Sequence, residues 1–159
     1  MNTLIFALLG AGFVLAFFAG EGRVKKLAAG SLVGFLVATQ LGEFALAQLS
    51  KLSFAPDYSI GTVQITLLVT VTLLFNLGKV HHVEGRPRVS IESIMVALIT
   101  VAFLFTAVLT FVGESTRSAW LNDYNLVALL YNWRLLLLGL TAGGLLLIEI
   151  MGANTKKPR

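Results

Sequence analysis

The feature that most constrains this chain is a succession of five apolar runs of membrane length, separated by short loops that hold most of the charge. They cover about residues 3–20, 27–49, 59–78, 90–112 and 125–151. A helix needs roughly 20 apolar residues to cross the hydrocarbon layer, so the expectation is an all-α polytopic membrane protein with five transmembrane helices. They would form one domain over residues 1–159. Composition agrees: 13% of the residues are charged, about half the quarter usual in a soluble domain. The length leaves no room for a separate soluble catalytic domain.

The basic residues give an orientation. Arg23, Lys25 and Lys26 follow the first run, Lys79, Arg86 and Arg88 follow the third, and Lys156, Lys157 and Arg159 lie in the tail. With five spans all of these fall on one side, against Lys51 and Arg117 on the other. The positive-inside rule then puts the N-terminus outside and the C-terminus inside. The first run has no basic segment ahead of it, so it reads as a retained span rather than a signal peptide. Because the basic residues sit in short loops, topology explains the net charge of +4 and nucleic acid is not expected. The chain has no cysteine, which excludes disulfides, thiolate metal sites and a cysteine nucleophile.

The second run carries Gly30, Gly34, Ala38 and Gly42 at four-residue spacing. On a helix they form one smooth face, suited to the close backbone approach that drives helix association in lipid. It would bind other spans or another subunit. Glycines 139, 143 and 144 read as packing positions in the last run, and Thr62, Thr66 and Thr70 as a helix-contact stripe in the third.

Ionisable groups inside spans are costly and default to functional hypotheses. Glu43 lies six residues, about 9 Å, before the end of the second run, and Arg134 lies roughly 9–14 Å below the same boundary. Gln64 and Asn132 share that layer, with Gln40 one turn deeper. These five residues are expected to form a polar cluster with Glu43 paired to Arg134. Such a cluster can lock helices together or hold a proton, ion or small solute; alternatively Arg134 snorkels outward. Trp120, Tyr124, Tyr131 and Trp133 gather at the start of the last run, as amphipathic aromatics do at a bilayer boundary. That run is either one tilted helix or an interfacial helix at about 123–133 followed by a span over 135–151. Asn122 or Asp123 could cap its start.

His81 and His82 are adjacent, with no third ligand at helical spacing, so no metal is expected. No nucleophile, base and acid set is present, and the turn expected at Gly20-Glu21-Gly22-Arg23 matches no phosphate or dinucleotide loop. Both histidines lie outside the apolar runs, against a haem held between helices. No enzyme activity and no cofactor are expected.

The stretch FAGEGRVKKLAAGSLVGFLVATQLG at 18–42 resembles the early part of the colicin V production (CvpA) family of small bacterial inner-membrane proteins. The likeness lies in a glycine and arginine turn after the first span and a following helix of spaced small residues. It covers about a sixth of the chain. The aspartate and spaced glycines that the family shows at the start of its fourth span are missing from 90–101. A fainter likeness, from Phe75-Asn76-Leu77-Gly78, is to the five-span J-type subunit of respiratory complex I. There Gln64 stands nearest to the expected carboxylate. Both resemblances imply a non-catalytic assembly or scaffold subunit of an inner-membrane complex, with the bilayer and other subunits or a second copy as partners. The alternative from the residues themselves is a small transporter or channel subunit using the Glu43/Arg134 layer.

Overall fold

The computed structural model describes residues 2–51, 58–77 and 91–154, with side chains only partly described in 2–20. Among the described residues every regular element is helical: α1 (Asn2–Leu49), α2 (Ile60–Leu77), α3 (Ile91–Phe111), α4 (Glu114–Asp123), α5 (Asn125–Asn132) and α6 (Arg134–Asn154). Three helices are long and apolar enough to cross a membrane: Glu21–Leu49 within α1, α2 and α3. A fourth span is reached if α5 and α6, bent by 61°, count as one. The basic loop at 79–89, with His81 and His82, and the tail cations Lys156, Lys157 and Arg159 lie outside the described residues.

The first two apolar runs form one helix of 48 residues, and the turn expected at Gly20-Glu21-Gly22-Arg23 is helical. Two glycines each cost about 1 kcal/mol in a helix interior, but good helix formers surround them here. Glu21 also pairs with Lys25 one turn on, Nζ to Oε1 at 3.1 Å, in the favourable acid-before-base order. The helix is not straight. Gly12 packs on Leu98, whereas Val24 and Ala28 share a core cluster with Val96 and Ala97. A straight helix would separate Gly12 from Ala28 by about 24 Å, too far for three consecutive residues of α3 to serve both. The bend therefore falls between those contacts, in the stretch that holds Gly20 and Gly22, and glycines are common kink sites.

Beyond the bend α1 runs antiparallel to α2, with Gly30 against Thr72 and Phe75 and Gly42 against Gln64. It runs parallel to α3, and α6 returns antiparallel to α3 with Gly144 on Val96. Ala38, Leu68, Phe103, Ala107, Phe111 and Leu137 form the larger core. Within it the Phe35 ring meets Phe103 edge-on and Phe111 at a tilt, each at 5.6 Å between centroids. Buried hydroxyls are satisfied by their own helix: Thr100 donates to Val96 O (2.7 Å), Thr106 to Phe103 O (2.8 Å) and Thr141 to Leu137 O (2.8 Å). A hydroxyl bonded to the preceding turn adds no unsatisfied group to an apolar core.

The chain between α3 and α5 is more ordered than a loop. Asn122 and Asp123 finish α4 instead of capping the next helix, and Tyr124 takes the N-cap place of α5 without a side-chain cap. The last apolar run breaks at Trp133 (φ −93°, ψ 11°) into two helices bent by 61°, so it is not one continuous helix.

Candidate functional site

The small-residue row of α1 is covered by α2 of the same chain. A Cβ at Gly34 would lie 2.8 Å from Leu68 O, and one at Gly42 would lie 2.6 Å from the Gln64 Cγ. Ala38 between them is fully buried. At Gly30 the nearest atoms are the Phe75 Cβ (2.8 Å), Thr72 O (3.1 Å) and the Thr72 Cα (3.2 Å). Thr72 uses this proximity: its hydroxyl shares a bond between Leu68 O (2.7 Å) and Gly30 O across the interface (3.3 Å).

The five polar residues are not gathered into one internal cluster. Gln64 is half-buried against Gly42, but Gln40 and Glu43 point out of the chain on the opposite side of α1 from the small row. Asn132 and Arg134 are exposed at the break between α5 and α6. Among the described residues Glu43 and Arg134 form no ion pair. Arg134 turns back on its own helix junction, its guanidinium 4.4 Å from the Tyr131 ring centroid and its Nη1 donating to Tyr131 O at 3.4 Å. The cause is the break at Trp133. It makes Arg134 the first residue of a newly directed helix, and the Arg134 side chain settles on Tyr131.

Other expected contacts shift face. Thr62, Thr66 and Thr70 are exposed, and Thr72, two positions further, is the threonine that meets α1. Of the three glycines expected to pack in α6, Gly144 meets α3, while a Cβ at Gly139 or Gly143 would touch nothing. At the opposite end of the bundle Lys25 bridges Glu21 and Glu149, the latter at 3.5 Å, tying α1 to α6. Among the described residues no three His, Cys, Asp or Glu side chains converge as metal ligands.

One residue missed by the sequence reading stands out. Arg117, taken as a loop charge, is half-buried on α4 with its guanidinium 5.7 Å from the Tyr131 centroid, so both arginines address one ring. Trp120, Tyr124 and Trp133 of the same stretch are exposed, and Trp120 lies 6.5 Å from the Phe105 ring. The available signal was a run of four aromatics flanked by Arg117 and Arg134 over eighteen positions.

The chain has no significant match to a family model, a curated protein or a solved structure.

Proposed function

We propose that the protein is a non-enzymatic subunit of an inner-membrane assembly, whose partner covers the outward face of α1 beyond its bend. The observation that carries this is the direction of Glu43. Leu36, Gln40, Glu43 and Ala47 are exposed at alternating four- and three-residue spacing, so they form a single stripe on α1. A carboxylate at membrane depth is expensive against lipid, by about 2.5–3.5 kcal/mol at the centre on insertion scales. It becomes cheap against a helix that donates hydrogen bonds. The small-residue row is already occupied by α2, so the docking face is the polar stripe on the other side.

In this reading the chain has five spans, N-terminus outside. The packing of Gly12 on Leu98 supports it, because a bent α1 keeps the residues before the bend against the bundle. The charge distribution of the loops supports it too. The resemblance to colicin V production proteins fits such a role. A transporter or channel subunit would gain from polar residues enclosed within the chain, and four of the five face outward.

Native mass spectrometry of the chain extracted from its own membrane in mild detergent tests the proposal. The expected result is a stoichiometric second protein that Glu43→Gln loses while retaining helicity. A chain that travels alone, and in which Glu43→Gln abolishes solute flux in liposomes, would overturn it in favour of transport.

A further inference from the structure

We propose that Arg117 and Arg134, set together on the ring of Tyr131, hold the phosphate of a phospholipid headgroup. Two guanidinium groups are brought to one aromatic ring, at 5.7 and 4.4 Å from its centroid. Each makes one long backbone bond, Arg117 to Thr110 O at 3.5 Å and Arg134 to Tyr131 O at 3.4 Å. A guanidinium carries five N–H donors, so most of both forks remain for a ligand. Among the described residues no carboxylate lies within ion-pair distance of either arginine, although Glu114 sits one turn before Arg117 and Asp123 ends the same helix.

Two cations gathered around one ring without a counter-charge repel one another, and an anion that both reach removes that cost. Arg134 adds to the positive potential through its place. It is the first residue of α6, where unpaired backbone N–H groups favour an anion and disfavour a cation. The surroundings select the anion. Trp120, Tyr124 and Trp133 are exposed on this end of the bundle, the residue types that settle at headgroup level. Nothing on α4 is buried, so that helix lies on the bundle rather than in it. A phosphate diester at headgroup depth meets both forks, and arginine binds phosphate through paired N–H donors.

The test uses the full chain in mild detergent, titrated with dioleoylphosphatidylglycerol and followed by native mass spectrometry. One lipid is expected to stay bound, with at least tenfold weaker affinity in Arg117→Gln/Arg134→Gln. The single variant Arg134→Gln, at an exposed position, should lose most of that affinity. Arg117→Lys/Arg134→Lys should fall between, keeping charge but losing the fork. Excess inorganic phosphate should leave the lipid in place; its displacement would make a free phosphate ion the ligand and overturn the lipid assignment. Equal lipid binding by the wild-type chain and Arg134→Gln would overturn the site. A dimer dissolved by Arg134→Gln would overturn it as well, assigning the arginine to the carboxylate of a second copy.

Discussion

Adding one methyl group at Gly30 tests the contact on which the helical pairing of α1 and α2 rests. The added Cβ would come within 2.8 Å of the Phe75 Cβ and within 3.1–3.2 Å of two backbone atoms of Thr72, where ordinary contact begins at 3.4 Å. None of these atoms is the end of a flexible side chain, so α2 itself must recede, by about 0.6 Å at this level, to accommodate Gly30→Ala. Overpacking of this kind costs about 1–3 kcal/mol. The bond from Thr72 to Gly30 O, already at 3.3 Å, lengthens with it; interhelical bonds in membranes average about 0.6 kcal/mol. Against this stands the helix-propensity gain of Ala over Gly, about 0.8–1 kcal/mol. Gly139→Ala in α6 isolates the gain, because no atom lies within 4 Å of its added Cβ. The pair should therefore differ by about 1–3 kcal/mol, with Gly139→Ala neutral or more stable than the wild-type chain and Gly30→Ala less stable. Reversible unfolding in mixed detergent micelles, followed by far-ultraviolet circular dichroism, measures the difference. Equal stabilities of the two variants would refute the close approach at Gly30.

Thr72→Val should cost about 0.5–1 kcal/mol, while Thr66→Val should be neutral, since Thr66 is exposed and bonds only back to Thr62 O; equal losses in the same unfolding assay would contradict the assigned faces. Phe103→Ala, at a site 2% exposed, should cost less than the roughly 3–5 kcal/mol of a soluble core, because lipid removes the transfer contribution and leaves the lost packing. A double-mutant cycle on Lys25 and Glu149 should give under about 1 kcal/mol and shrink with salt, as Glu149 is largely exposed; coupling that survives high salt would point to a drier end of the bundle.

Residue spacing made the small row readable because it has a single physical use: a helix with glycine or alanine every fourth position can be approached by backbone and by little else. Spacing says which residues share a face. It does not say which face turns inward when every face is apolar. Thr62, Thr66 and Thr70 satisfied the same periodicity as the row on α1, yet Thr72 is the residue on the contact. Depth was likewise calculable for Glu43 and Arg134, but azimuth was not. Glu43 follows Gly42 by one residue, a rotation of about 100° on a helix, and that places it away from α2. Arg134 depends on the break at Trp133, which the sequence left open between two forms and which decides the direction of its side chain. The continuity of α1 was hidden because glycine and charge in one stretch signal both a loop and a helix crossing out of the bilayer.

That continuity poses the question with the largest consequence for topology, and the absence of cysteine from the chain makes it answerable. A straight helix of 48 residues would be about 72 Å long, more than twice the hydrocarbon thickness of about 30 Å. Its apolar first twenty residues would then stand in water. With the bend, an added Cβ at Gly12 lies 3.1 Å from the Leu98 Cα, which brings the two Cα atoms near the lower end of the 4.4–6.8 Å span of a disulfide. Gly12→Cys/Leu98→Cys also removes the leucine atoms that crowd this position. Oxidation in native membranes should join the pair within the chain, visible as a faster-migrating band that a reductant abolishes, while a control pair at Ala7 and Leu98 should stay reduced. Failure of the Gly12 and Leu98 positions to join would return α1 to a rod, and with it remove the bend on which the five-span reading depends.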